Sequence, residues 1–444
     1  MAATLEHSLK RAPESEFDSL AQQLLLNRAE ETLSAELKAK IRSRPLTIPN
    51  HLVSRNWVAL RGLCCFLKAN LNQTDSAEQR RAGSNAFTVF EHQLPGGLFP
   101  DSPLGTACPV AYHGKMCATL GLTMLCCPRE FEACYIPSLR RGLDALVASV
   151  SPTGILVPYG RSRNNLFGYA SAYLAFRLGA YLLDCPHCSW GAEQVIHRLR
   201  QFQAPDGHIP AVLNDGEWMR QDWDVYINNL DYNAYAAGCL LLAEEVPPGP
   251  KAKEPQAGIT DLGPFLVDRS GDHFFAISTT GEMAPLGTPF FSDFRYAGLQ
   301  PLLWESGRHV MFFDHDYCWD ARDSTRRALY DPRNHTWLPY FQNQDKCYWT
   351  PVYPAIHWSR EAETLTLSGT GSCLHIRPTP AWKRLLYRLA SRPVPQIRAK
   401  ASGHDMESTV TLDLQSGQLL KRSQSLSGIV NLNRANIATQ LPRN

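Results

Sequence analysis

The 444 residues carry 44 Lys plus Arg against 42 Asp plus Glu, a formal charge of +2. A chain so near neutrality has no global field with which to hold nucleic acid or an anionic membrane surface nonspecifically. Hydrophobic residues at 44%, charged at 19% and aromatic at 10% exclude a disordered or fibrous polymer, and the length allows two or three domains.

The first ten residues lack the apolar core of a secretory signal, and no run of about 18 uninterrupted apolar residues follows, so the expectation is a soluble cytoplasmic protein. Most of the 13 cysteines sit inside apolar helix-like runs and read as reduced core residues.

Helical periodicity recurs over residues 15–40, 55–71, 76–92, 113–127, 129–150, 164–183, 189–203 and 230–245, with many of the intervening loops holding Gly or Pro. These segments alternate with loops rather than strands, which disfavours a parallel βαβ sheet. A Pro-rich polar stretch at 246–259 reads as a linker between a helical domain at 1–245 and a second domain at 260–444. Beyond it the pattern turns to short β-rich segments at 263–267, 273–278, 309–313, 364–368, 373–377, 408–414 and 418–424. Helices paired about every 35–55 residues suit stacked hairpins closing into an α/α toroid, here short enough to leave an incomplete ring. The expected architecture is that toroid followed by an antiparallel β-sandwich.

Three segments concentrate polar and aromatic groups. Tyr159-Gly160-Arg161-Ser162-Arg163-Asn164-Asn165 runs into a helix with Phe167 and Tyr169 on its first turns. Asn164 or Ser162 caps that helix in the structural reading. In the functional reading amides, a phenol and a guanidinium crowd one helix mouth, where a carboxylate is held and neutralised. Asn165 and Tyr169 lie four apart, on one helical face. The second segment, 203–233, holds Asp206, Glu217, Asp222, Trp223, Asp224, Tyr226, Asn229, Asp231 and Tyr232. Trp and Tyr stack on sugar faces while amides and carboxylates take hydroxyls, so this is the composition of a carbohydrate-binding cleft or else a polar loop with Asp231 as a helix cap. The third, Tyr112-His113-Gly114-Lys115, places at a helix entrance a histidine suited to general-base work or to an ordinary core hydrogen bond.

In the second half, Arg295-Tyr296 and Asp314-His315-Asp316 are placed to face the helices across a domain interface. Strand alternation keeps His315 off the face of Asp314 and Asp316, so no metal is expected. Cys185-Pro186-His187-Cys188 has the spacing of a thiol–disulfide centre, but a helix, not the strand of a thioredoxin-like unit, precedes it. Residues 382–389, Trp-Lys-Arg-Leu-Leu-Tyr-Arg-Leu, read as an amphipathic helix packed on the β-domain. No glycine loop followed by a Walker-type lysine is present, and no cofactor is expected.

The domain order, with Gly271-Asp272-His273-Phe274-Phe275-Ala276-Ile277-Ser278 leading to Gly307-Arg308-His309-Val310-Met311, resembles heparinase II/III-type polysaccharide lyases. The resemblance implies β-elimination at a uronic acid. Such chemistry needs a neutralised carboxylate, a base for the C5 proton and an acid for the departing glycosidic oxygen. By that implication Asn165 and Arg161 neutralise, His113 or Tyr169 is the base, and Tyr232 or Tyr226 is the acid. Tyr159, Asn164, Asp222, Asp224, Tyr226, Asn229 and Arg295 complete the substrate-binding set. A glycoside hydrolase on the same scaffold, with two carboxylates from the 206–231 region, is the nearest alternative. A small-molecule tailoring enzyme and a non-catalytic carbohydrate-binding protein are the others. In each, the expected partner is a carbohydrate or other polar small molecule.

Overall fold

The computed structural model describes residues 34–43, 54–72, 76–101, 107–128, 135–213, 229–270, 273–282, 296–313, 332–334, 336–378, 397–426 and 432–441, with a few single positions between them. Its helices are α1 (Ala35–Ser43), α2 (Arg55–Asn72), α3 (Ser76–Phe87), α4 (Val110–Cys126), α5 (Tyr135–Ala148), α6 (Leu166–Leu183), α7 (Pro186–Gln201) and α8 (Asn229–Glu244). They stack in two layers. Alternate helices α2, α4, α6 and α8 touch in succession, while α3, α5 and α7 each fold back on the helix before them, and α5 also touches α7.

Composition explains which helix goes where. Every residue of α4 from Val110 to Thr123 is buried, and α6 is buried from Leu166 to Phe176, so both are enclosed by other elements and mostly apolar, with buried polar side chains such as His113 and Lys115 hydrogen-bonded inside. By length and composition α6 is apolar enough to cross a membrane, but here it is the central core helix, in contact with α4, α5, α7 and α8. Small residues let it be central. A Cβ at Gly168 would lie 2.7 Å from the Ala111 methyl on α4, and one at Gly179 would lie 2.6 Å from Leu143 on α5.

Two antiparallel sheets follow. The first is a meander of β1 (Gly258–Asp261), β2 (Phe265–Ser270), β3 (His273–Ser278), β4 (Pro301–Ser306) and β5 (His309–Phe312). The second contains β6 (Tyr340–Asn343), β7 (Lys346–Trp349), β8 (Ile356–Glu361), β9 (Thr364–Pro378), β10 (Ile397–Asp413), β11 (Gln418–Ser425) and β12 (Asn436–Gln440), in the order β12-β11-β10-β9-β7-β6, with β8 also pairing β9.

The three central strands of the first sheet, β2, β3 and β4, are buried on both faces, and strand alternation sorts their side chains. Phe265, Val267, Phe274, Ala276 and Leu303 join the core of the helices, whereas Leu266, Phe275, Ile277 and Trp304 join Leu365, Leu367, Val410, Leu412 and Leu419 of the second sheet. The charged residues obey the same parity. On the helix side the Arg269 guanidinium donates to the Val150 carbonyl at 2.6 Å, and Glu305 accepts from Thr153 N and Thr153 Oγ1, each at 2.9 Å. On the other side Asp268 pairs with Arg360 of β8 at 2.7 Å. Between the sheets the fully buried Lys421 ammonium donates to the carbonyls of Leu299 (2.8 Å) and Trp337 (3.0 Å), and burial lowers its pKa to about 7.

Several expectations change. The segments expected at 364–368 and 373–377 are one strand, β9, and the one at 408–414 is the end of the longer β10. Strand β4 was not anticipated, since it opens on Pro301 and carries Glu305 next to its end. Of the helix expected to pack through residues 382–389, the described residues Trp382, Leu386 and Leu389 are helical in backbone and exposed. The segment 314–316 lies outside the described residues.

Candidate functional site

The turn before α6 is built on unusual backbone. Gly160 (φ 80), Ser162 (φ 59) and Asn164 (φ 53) place three left-handed residues within five positions. Left-handed non-glycine residues cost about 1–3 kcal/mol each and persist only where surroundings over-determine them. Here the Asn164 carbonyl accepts from Leu213 N at 2.8 Å, Leu166 N donates to the Ala211 carbonyl at 2.8 Å, and Arg161 N donates to the Tyr296 hydroxyl at 3.2 Å. Position 160 needs glycine for space as well, because a Cβ would sit 2.9 Å from Pro109 Cα and 3.1 Å from the Tyr296 ring.

This turn presents its amides to a small pocket. Asn165 is the N-cap of α6, its Oδ1 accepting from Phe167 N at 3.1 Å. The other end of that amide, Nδ2, is buried and has no hydrogen-bond partner among the described residues. The Tyr159 hydroxyl is buried in the same condition. Burial, and then Glu282, pushes the Tyr159 phenol well above its ordinary pKa, so it keeps its proton. Both residues line this small pocket, partly open to solvent, together with Arg161, Ser162, Arg163, Asn164 and Tyr169. The Tyr169 hydroxyl donates to Asn164 Oδ1 at 3.0 Å and accepts from Leu156 N at 3.3 Å.

A buried polar network underlies the pocket and ties the inner helices at one end. Arg161 pairs with Asp101 at 2.7 Å and lies 4.1 Å over the Tyr112 ring. Asp101 also accepts from Ser54 Oγ at 2.9 Å and from Asn56 Nδ2, and the Lys115 ammonium donates to Asn56 Oδ1 at 2.9 Å. Tyr112 packs edge-on against Phe167, on which Tyr232 stacks. Residues 54–56, 112–115, 165–169 and 232 lie at or next to the N-termini of α2, α4, α6 and α8. The starts of α4 and α6 line the pocket through Ala111 and Asn165, and each contributes positive dipole potential there, while the starts of α2 and α8 join the network behind it through Asp101 and Phe167.

The remaining sequence-predicted residues separate. His113 lies in the core rather than the pocket: it is fully buried, its Nε2–H donates to the Gly142 carbonyl at 2.8 Å, and its Nδ1 accepts from Phe99 N at 3.1 Å. Burial lowers its pKa to about 4. With both ring nitrogens committed to backbone, it is a structural tie in this conformation. Asp206 is exposed and accepts from His208 N at 3.0 Å. Asn229 opens α8, although its side chain is not described, and Glu217, Asp222, Asp224, Tyr226 and Arg295 lie outside the described residues. Tyr296, from the second half of the chain, does reach the turn, as its neighbourhood was expected to. Sequence reasoning missed Ser54, Asn56, Asp101 and Glu282. Asn56, a polar residue before the apolar run Trp57–Leu60, was the available signal.

No family model and no curated protein matches this chain. Solved structures give distant likenesses. A glycosyl hydrolase family 88 protein from Bacteroides vulgatus is 15% identical, with 52% of this chain and 74% of that one covered and a TM-score of 0.41. The Streptomyces coelicolor A3 chondroitin AC lyase in complex with chondroitin sulphate is 12% identical over 92% of this chain and 63% of its own, with a TM-score of 0.40. A Paenibacillus xanthan lyase is 9% identical over 96% of this chain and 48% of its own, with a TM-score of 0.43.

Proposed function

We propose that the protein is a carbohydrate-active enzyme, a β-eliminating lyase of uronic-acid-containing oligo- or polysaccharides, and that its layered helices are an incomplete α/α toroid of the kind the heparinase II/III resemblance implies. The observation that carries this reading is a pair of buried donors, Asn165 Nδ2 and Tyr159 OH, that have no partner among the described residues and belong to residues lining one pocket at the starts of α4 and α6. Orphaned buried donors cost about 1–3 kcal/mol each unless a ligand satisfies them, and the N-termini of α4 and α6 together with the Arg163 guanidinium favour an anion. A uronate carboxylate supplies both the acceptor oxygens and the charge.

In this reading Asn165 and Arg161 hold the carboxylate and spread the charge that develops as the C5 proton leaves. Tyr169 is the base, and the Leu156 N–H aimed at its oxygen is a donor that a phenolate there keeps. The departing oxygen takes its proton from a second phenol, for which Tyr232, stacked on Phe167, is the described candidate. The partner is a carbohydrate and the setting cytoplasmic. The hydrolase alternative fits less well, because no described pocket-lining residue is a carboxylate.

The test is ultraviolet absorbance of the unsaturated uronate product during incubation with a panel of uronic-acid polymers and oligosaccharides. Asp caps a helix as well as Asn does, so Asn165→Asp keeps α6 capped while replacing the donor by a negative charge. The expected result is a loss of about 10²–10³ in kcat with an unchanged unfolding midpoint, and a comparable loss for Tyr169→Phe. A flat trace from the unaltered protein on every substrate, with no new reducing ends, overturns the reading.

A further inference from the structure

The connection between α6 and α7 holds two cysteines that the pocket does not use. Helix α6 ends on Asp184 in a left-handed conformation (φ 48), and this reversal delivers Cys185 to the N-cap of α7. Pro186 follows within the first helical turn, where its fixed φ suits the helix start. The Cys185 sulfur accepts from Cys188 N at 3.3 Å, and the Cys188 thiol is hydrogen-bonded to the same sulfur. Cys185 keeps 9% of its surface in water and Cys188 none, so Cys185 is the less deeply enclosed of the two.

Every other described cysteine whose acidity departs from the ordinary value is pushed up, with burial among the causes. Cys185 moves the other way, down to about 6, first because Cys188 donates to it and then because first-turn backbone N–H groups face it. The surroundings are rigidly held. Lys253 N donates to the Pro186 carbonyl at 3.0 Å, His187 Nδ1 donates to the Lys253 carbonyl at 2.9 Å, and Ser189 Oγ donates to the Pro250 carbonyl at 2.7 Å.

We propose that Cys185 and Cys188 form a thiol–disulfide exchange site, Cys185 attacking and Cys188 resolving, whose partner is a low-molecular-weight disulfide of the glutathione class. The Cys185 thiolate attacks one sulfur of the disulfide RSSR, the S–S bond breaks, RS⁻ departs, and a mixed disulfide remains on Cys185. The Cys188 thiol gives up its proton and attacks the Cys185 sulfur, expelling the second RS⁻. The protein loses two electrons and gains one S–S bond, while RSSR takes those electrons with the two thiol protons and becomes two RSH. A thioredoxin-like strand is not required, because the N-cap sulfur, the fully buried sulfur beside it and the helix start are all present after a helix.

The full chain is equilibrated in buffers of graded reduced-to-oxidised glutathione ratio, acid-quenched, alkylated and mapped by peptide mass. The expected result is a reversible Cys185–Cys188 disulfide with the other cysteines reduced, one glutathione retained on residue 185 in Cys188→Ser, and none retained at the site in Cys185→Ser. In the reduced native protein iodoacetamide modifies Cys185 on the order of tenfold faster than the buried cysteines. Absence of the 185–188 cross-linked peptide from the unaltered protein at every ratio overturns the proposal. So does alkylation of Cys185 at the rate of the other cysteines. The unaltered protein decides the matter even if a variant fails to fold.

Discussion

His113 and Asn165 are both polar residues at the start of an apolar helix, and burial gives them different tasks. The histidine finds a donor for one nitrogen and an acceptor for the other, so its chemistry is used up by the backbone. Among the described residues the asparagine finds a partner only for its oxygen, and its amide donor has none there. Residue type alone marked both positions as candidates, because each side chain carries more than one hydrogen-bonding atom. How many of those atoms are satisfied depends on residues far along the chain, such as Gly142, and only folding brings them within reach. The histidine makes a testable contribution to stability. Its folded pKa of about 4 lies below the ordinary 6.5, so the unfolded chain binds the proton more readily between those values. Stability due to His113 is complete above pH 6.5 and is lost as the pH falls through about 4, an amount on the order of 3 kcal/mol. In urea unfolding, the stability gap between the unaltered protein and His113→Leu should narrow as pH falls from 7 toward 4.5. A gap independent of pH would contradict the buried neutral imidazole.

Among the elements, α6 carries the most consequence, since it supplies Asn165 and Tyr169 and touches four other helices. Its sequence announces that role through small residues and the lack of a charged face, and the expected span 164–183 differs from the observed Leu166–Leu183 only by the turn that caps it. Gly168→Ala forces a Cβ to 2.7 Å from Ala111 Cβ and 3.1 Å from Ala111 Cα, so α6 must move off α4 rather than a side chain moving aside. The expected cost is about 1–3 kcal/mol, visible as a lowered Tm, with a loss of activity because the Asn165 cap moves too. An unchanged Tm would show that the two helices are less tightly packed than the geometry implies. Strands were less legible than helices. Short pieces such as Tyr340–Asn343 and Lys346–Trp349 carry little alternation, and their pairing with one another and with β9 holds them in place. The long β10 includes an irregularity between Ala401 and Asp405 that interrupts its period, so only its regular end was readable.

At the scale of the whole molecule, the first sheet is the shared layer between helices and second sheet, and its polar residues couple the halves. Glu305 is the clearest of these, since it meets both the backbone and the side chain of Thr153 across 152 positions of sequence. Glu305→Ala leaves those donors without their acceptor, and thermal unfolding at neutral pH should show a loss of about 1–3 kcal/mol. A variant as stable as the unaltered chain would mean that apolar contact alone sets the interface.

Sequence by itself determined the order of helices before strands, the apolar character of the central helices and the crowding of amides and phenols at 159–169. These are properties of local periodicity and composition, which a chain carries whether or not it is folded. Tertiary structure alone decided that His113 is spent on backbone, that Asp101 faces Arg161, that Tyr296 arrives from the other half of the chain, and that Asn165 keeps a donor unmet. Those outcomes depend on contacts between residues tens to more than a hundred positions apart. A hydrogen bond is made or left unmade by angstrom-scale placement, which no local pattern encodes.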